Sequence, residues 1–137
     1  MHSHFYRVSF LWNHIFKDSV RLKVGIIDYG LGNIKSVIGA IEKNGYNALV
    51  CKTNIDLQKV DRFILPGVGA FGDGIKRIKE IKIFNTLKSL VLEKKTPILG
   101  ICLGAQLLTQ SSDEYGFNKG LGWINANVKN IKTNEPN

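Results

Sequence analysis

The sequence predicts an α/β protein with an open, mainly parallel sheet and helices on both faces. Two observations carry this prediction. Short continuous apolar runs alternate along the chain with stretches of helical periodicity, and glycine-rich turns join one to the next. Apolar runs without a period of two are typical of strands buried on both faces, as in parallel sheets covered by helices. The chain from Lys23 onward is therefore expected to alternate strand and helix.

The first elements are the most regular. A strand is expected in KVGIIDYG, which starts at Lys23, and a helix in IKSVIGAIEKNG, which ends at Asn44-Gly45 because glycine terminates helices at low cost. The further predicted elements are strands at 46–51, 61–65, 96–101 and 123–131, and more than one helix from about 74 to 95. The strand at 96–101 is expected to be fully buried and to run directly into a helix.

The composition is that of an ordinary globular domain. The chain has 137 residues, of which 44% are hydrophobic and 22% charged, and this excludes disordered, collagen-like and coiled-coil classes. The longest apolar stretch, 97–108, is shorter than the roughly 20 residues that span a bilayer, so no membrane association is expected. Cys51 and Cys102 form no CxxC pair, which predicts neither a disulfide framework nor a zinc site and favours the cytoplasm.

The charge is strongly basic, with a formal net charge of +8. Such a charge raises the hypothesis of a nucleic-acid partner. No helix-turn-helix, OB or RRM pattern interleaves the lysines with aromatic residues, and most lysines lie in 76–95 and 119–132. We therefore expect solvated basic faces and no nucleic-acid binding.

The most specific motif is Gly-Ile-Cys-Leu-Gly at 100–104, between a predicted strand and a predicted helix. This is the nucleophile-elbow pattern with cysteine in place of serine. Glycines two residues before and after Cys102 keep neighbouring side chains away from a sharp turn, and the turn presents the sulfur at the carboxyl edge of the sheet. The alternative is that Cys102 is a small buried hydrophobic residue in a glycine-rich turn.

Three motifs in order carry a resemblance to a known family. The segments PILGICLGAQLL, ILPGVGAFGDG and VGIIDYGLGNIKSV resemble class I glutamine amidotransferases, above all the amidotransferase subunits of imidazole glycerol phosphate synthase, from about Lys23 to Ile131. The resemblance implies flavodoxin-like layers and a cysteine that attacks the side-chain amide of glutamine. It implies ammonia transfer through a tunnel to a barrel-shaped synthase partner in histidine biosynthesis, with neither a cofactor nor a metal.

The resemblance also assigns roles to individual residues. Cys102 is the expected nucleophile, and the N–H of Leu103 is one expected oxyanion donor. The second donor is expected from the loop Pro66-Gly67-Val68-Gly69, where a peptide flip near Val68 switches the site between resting and active states. The expected contacts of the substrate glutamine are Gly67, Gly69, Gln106 and Glu114. Asn33 and its loop are expected to face the synthase partner.

The sequence departs from the family pattern at both ends. The histidine and glutamate that complete the family's active site would lie beyond residue 137, and the histidines of this chain, His2, His4 and His14, fall where nothing in the family aligns. We therefore expect 1–22 to be an N-terminal extension and 23–137 a partial amidotransferase domain, incomplete at its C-terminal end and inactive as a glutaminase.

The sequence is also compatible with two other functions. A related amidotransferase could supply ammonia to a sugar in surface-polysaccharide synthesis. The chain could instead be a partner-binding module without catalytic activity, which keeps the surface around Asn33. Labelling of Cys102 by an electrophilic analogue of glutamine separates such a module from an amidotransferase, because a module without activity should react no faster than a free thiol.

Overall fold

The main sheet has four parallel strands in the order β2-β1-β3-β4. In the computed structural model, which describes residues 21–131, the strands are β1 (Lys23–Ile27), β2 (Asn47–Cys51), β3 (Arg62–Leu65) and β4 (Ile98–Gly100). The predicted parallel sheet is confirmed. Most of the predicted extension, residues 1–20 with His2, His4 and His14, lies outside the described residues.

Five helices connect the strands within 21–131. They are α1 (Ile34–Lys43), α2 (Asn54–Gln58), α3 (Phe71–Glu80), α4 (Phe84–Leu92) and α5 (Leu103–Leu107). The predicted end of the first helix is confirmed, since Asn44 closes α1 and Gly45 has a φ of 82°. The left-handed conformation costs little without a side chain, and the chain can therefore turn at once into β2.

The two faces of the sheet pack against different helices. Ile27, Phe63 and Leu65 point into a core that also holds Phe71 and Leu103, from α3 and α5. Because side chains alternate along a strand, Ile26 points the other way, and it pairs in register with Ile64 on the side of α1. Helices therefore cover both faces, as predicted for this α/β class.

The expectation that 96–101 forms a fully buried strand is wrong. Leu99 is 59% exposed and Ile101 41% exposed. Leu99 pairs with Ile64, which places it on the α1 face, but α1 packs over β1 and β2. In the described part of the chain, β4 is one of the two edge strands of this sheet, and its α1 face is left uncovered.

The last described residues form a small second sheet. Its strands are β5 (Ser111–Ser112), β6 (Asn118–Lys119) and β7 (Asn127–Val128), in the order β6-β5-β7. The strand predicted at 123–131 is much shorter than expected. No helix within 21–131 is long and apolar enough to cross a membrane.

Replacing Gly39 by alanine is expected to stabilise the fold. Gly39 lies in the middle of α1, is exposed, and has nothing within 4 Å of the position that a Cβ would take. Alanine has the higher helix propensity, and the gain should be about 0.5–1 kcal/mol in the free energy of unfolding. Urea denaturation followed by circular dichroism measures it, and an unchanged or lowered midpoint would contradict the prediction.

Candidate active site

Cys102 occupies a strained turn between β4 and α5. Its backbone has a φ of 52° and a ψ of −121°, a conformation that residues other than glycine rarely adopt. The thiol is free and exposed. The turn therefore holds the sulfur at the carboxyl edge of the sheet, where open α/β sheets bind ligands.

The two glycines of the motif are required by close packing of the backbone. A Cβ on Gly100 would meet the Cα of Ala105, and a Cβ on Gly104 would meet the carbonyl oxygen of Leu65. Neither obstacle can rotate away, because both belong to the main chain. The sharp turn at Cys102 depends on these two positions staying without a side chain.

The loop after β3, residues 66–70, lies beside the cysteine. We call it the oxyanion loop, after its predicted role. Gly67 and Val68 of this loop line the same groove as Cys102, on the α1 face of the sheet. Gly69 has a φ of 109°, which favours glycine at that position. The structure thus brings together Cys102 and the loop that the family resemblance assigns to the same site.

The Val68 N–H has a hydrogen-bond partner in another loop. It donates a hydrogen bond to the carbonyl oxygen of Leu31, with an N to O distance of 2.6 Å. Leu31 belongs to the loop between β1 and α1, residues 28–33, which we call the β1–α1 loop. Leu103 begins α5, so its N–H belongs to the first helical turn, where no helical acceptor is available.

The predicted glutamine contacts lie on α5 and beside the start of α3. Gln106 is on α5, four residues after Cys102, and is half-buried. Glu114 reaches the start of α3, where its Oε2 accepts a hydrogen bond from the N–H of Phe71 at 3.1 Å. Phe71 follows the oxyanion loop directly, so Glu114 is placed next to that loop and to Gly69.

Asn33 lies at the rim of the groove that contains Cys102. It is exposed, and its side-chain oxygen caps α1 by accepting a hydrogen bond from the Ser36 N–H at 3.2 Å. The cap fixes the end of the β1–α1 loop. The Leu31 carbonyl of the same loop accepts the hydrogen bond from the Val68 N–H. A molecule bound at Asn33 would therefore contact the loop that controls the Val68 N–H.

Sequence reasoning missed one residue of the site, Tyr29. Its side chain is buried, and its hydroxyl donates a 2.7 Å hydrogen bond to the carbonyl oxygen of Pro66, the first residue of the oxyanion loop. The pKa of Tyr29 is raised to about 12, mainly because the side chain is buried and to a smaller extent because of the nearby charge of Cys102. The contact joins residues 37 apart along the chain, so no local pattern could reveal it.

No group of three or more histidine, cysteine or acidic side chains within 21–131 comes together as a metal site.

The two thiols should differ sharply in reactivity. Cys51 is fully buried, and burial together with nearby Asp56 raises its pKa to about 11. At about pH 8 its thiolate should be about 100-fold scarcer than that of an ordinary cysteine. We expect iodoacetamide to alkylate exposed Cys102 first, as measured by peptide mass spectrometry over time. Equal rates at the two sites would contradict this account.

A parallel sheet with a cysteine at a strand-to-helix elbow is the arrangement of α/β proteins that present a nucleophile. The family model for class I glutamine amidotransferases matches residues 25–134. The chain belongs to the class I glutamine amidotransferase family.

Individual relatives agree with this assignment. The chain is 45% identical over 109 residues to "Imidazole glycerol phosphate synthase subunit HisH 2" of Methanococcus maripaludis, a match that covers 80% of this chain and 54% of the relative. It is 40% identical over 124 residues to "Imidazole glycerol phosphate synthase subunit HisH" of Zymomonas mobilis, over 88% of this chain and 58% of the relative. The chain thus spans little more than half the length of these curated relatives.

A solved structure supports the fold. "Crystal structure of glutamine amidotransferase" superposes with a TM-score of 0.64 at 24% identity, over 77% of this chain and 55% of that one. At this identity the likeness shows the architecture alone.

Proposed function

We propose that this chain is part of the glutamine-hydrolysing subunit of an imidazole glycerol phosphate synthase, in histidine biosynthesis in the cytoplasm. The active site of that subunit needs the family's histidine and glutamate in addition to the residues described. The observation that carries the proposal is the strained Cys102 elbow with the oxyanion loop beside it, in a chain of the glutamine amidotransferase family. The names of the curated relatives supply the pathway.

In the proposed reaction, Cys102 Sγ attacks the side-chain amide carbon of glutamine. The amide oxygen gains negative charge in the tetrahedral intermediate, and the carbon–nitrogen bond then breaks to release ammonia after the nitrogen takes up a proton. A water molecule hydrolyses the resulting thioester, which yields glutamate and regenerates the thiol. Residues 21–131 contain no histidine, so the proton carrier of this cycle is not among the described residues.

Two backbone N–H groups are proposed to stabilise the oxyanion. The Leu103 N–H at the start of α5 is the first. The Val68 N–H is the second, and it becomes available only when its 2.6 Å hydrogen bond to Leu31 breaks and the peptide between Gly67 and Val68 rotates. In this proposal, the arrangement in which Val68 N–H donates to Leu31 corresponds to the resting state.

The amino-acid end of glutamine is proposed to bind between α5 and the start of α3. Gln106 offers its side-chain amide from α5, four residues after Cys102. The Glu114 carboxylate beside the start of α3 provides the negative charge that pairs with an α-ammonium group. Gly69 has open space at its Cβ position, which leaves room for the ligand to approach the oxyanion loop, whereas Gly67 would contact the ligand through its backbone.

The proposed partner is a synthase subunit of barrel fold, which binds at the rim around Asn33 and receives the ammonia. Support comes from the connection between this rim and the site, since the β1–α1 loop runs from Asn33 to Leu31, which holds the Val68 N–H. Partner binding that moved this loop would release Val68. Neither a cofactor nor a metal takes part in the proposed chemistry.

Capture by an electrophile tests the function. The chloroketone analogue of L-glutamine places a CH2Cl carbon near the sulfur, and Cys102 Sγ displaces chloride to form a thioether that intact mass detects. A glutamine site should accelerate this capture at least about tenfold over a simple chloroketone without the amino-acid group, because binding orients the reacting atoms. Equal rates with both reagents would favour a partner-binding module without a glutamine site.

A further inference from the structure

The oxyanion loop is held by two hydrogen bonds from one neighbouring segment. Both come from the β1–α1 loop: the Tyr29 hydroxyl donates to Pro66 O at 2.7 Å, and the Leu31 carbonyl accepts from the Val68 N–H at 2.6 Å. The peptide between Gly67 and Val68 contains the Val68 N–H of the second hydrogen bond but not the Pro66 carbonyl of the first. Rotation of that peptide breaks the second hydrogen bond and leaves the first in place.

The surroundings of Tyr29 keep its hydroxyl in one position. Tyr29 is only 5% exposed and belongs to the core cluster. A Cβ on Gly67 would collide with the Tyr29 oxygen and would lie 3.0 Å from both Gly104 N and Leu103 Cβ. The hydroxyl is thus packed against the oxyanion loop at the point where this loop meets the helix that follows Cys102.

The hydroxyl also stays protonated under ordinary conditions. Burial is the main reason that the pKa of Tyr29 is raised to about 12. It therefore remains a hydrogen-bond donor throughout the neutral pH range. The Pro66 carbonyl, whose residue is itself buried, has this hydroxyl as its hydrogen-bond donor.

From these contacts we infer that Tyr29 is a positioning residue whose hydroxyl anchors Pro66, so that the switch of the oxyanion loop is confined to the single peptide between Gly67 and Val68. The inference rests on the proposed function for its catalytic meaning. The anchoring hydrogen bond from Tyr29 to Pro66 is independent of that function, because it joins two described residues. Tyr29 touches neither the substrate nor the reacting atoms in this account and acts through the loop.

The first test measures amide hydrogen exchange at Val68 in the full chain with Tyr29→Phe. Loss of one neutral hydrogen bond should raise exchange at Val68 about fivefold, whereas amides of β1 and β3 should stay within about twofold of the parent chain. Tyr46→Phe, which removes a hydroxyl at a position 45% exposed, is the matched control and should change neither. Unchanged exchange at Val68, or an equal rise throughout the sheet, would overturn the anchor.

The second test separates the anchor from the proposed function. In Tyr29→Phe, capture of Cys102 by the glutamine chloroketone should slow about fivefold, while alkylation by iodoacetamide, which needs no ordered loop, should stay within about twofold. Equal slowing with both reagents would contradict a role through the loop. If the parent chain shows no preference for the glutamine reagent, the proposed function fails, and the exchange measurement at Val68 still decides the anchor.

Discussion

Replacing Gly104 by alanine is expected to prevent the chain from reaching a stable fold. The added Cβ would overlap the carbonyl oxygen of Leu65, and Pro66 O lies 3.0 Å from the same position. Both atoms belong to the main chain where β3 leads into the oxyanion loop, so relief requires α5 to move away from the sheet. A main-chain collision in a closely packed core should cost more than about 4 kcal/mol in the free energy of unfolding.

Circular dichroism with urea denaturation measures this effect. Gly39→Ala is the matched control, because the same change in α1 meets open space and should leave the chain folded. A Gly104→Ala chain with an unfolding free energy within about 1 kcal/mol of the parent would show that the elbow is not closed by backbone packing.

Replacing Cys102 by alanine is expected to abolish covalent capture by the glutamine chloroketone. No other sulfur lines the groove beside the oxyanion loop, as far as residues 21–131 are concerned, and the other cysteine of the chain, Cys51, is buried. The adduct should fall by at least about 1000-fold, the loss typical of removing a nucleophile. Intact mass spectrometry follows the adduct directly.

The matched control is Cys51→Ala. Cys51 is fully buried in the core, on the face of the sheet opposite α1, so its removal should reduce stability and leave the capture rate within about twofold. Adduct formation that survived Cys102→Ala, or that disappeared in Cys51→Ala with the fold intact, would place the nucleophile elsewhere.

The parallel sheet was predictable because its apolar runs are continuous and free of a period of two. The burial of β4 was not, since the pattern of 96–101 records apolar character and cannot tell which neighbours cover Leu99 and Ile101. The short helix α2 was missed although Thr53 and Asp56 form a capping box at its start. Its five residues carry too little periodicity to stand out.

The start of α3 was placed three residues too late because of its glycines. Gly72 and Gly74 look like turn residues in the sequence, yet both lie inside the helix that begins at Phe71. Gly74 is there for packing, since a Cβ would come within 2.9 Å of Leu107 Cδ2 on α5. Sequence propensity cannot distinguish this close contact between helices from a turn.

The parts of the site that lie in one contiguous motif were predictable, and the parts that depend on contacts between residues far apart in sequence were not. The elbow around Cys102 is a contiguous pattern whose glycines have a physical cause in the structure. Tyr29 and Leu31 reach the oxyanion loop across 37 residues of chain each, from a turn that the sequence shows only as a strand end followed by glycines. Such contacts arise from the register of β1 beside β3.

The most direct measurement compares capture of Cys102 by the L and D enantiomers of the glutamine chloroketone. The two reagents have the same intrinsic reactivity, so any difference reports recognition of the amino-acid group beside the cysteine. A site that binds glutamine through groups around Cys102, Gln106 and Glu114 should react with the L enantiomer at least about tenfold faster. Equal rates for the two enantiomers, with the chain folded, would contradict a glutamine site at Cys102.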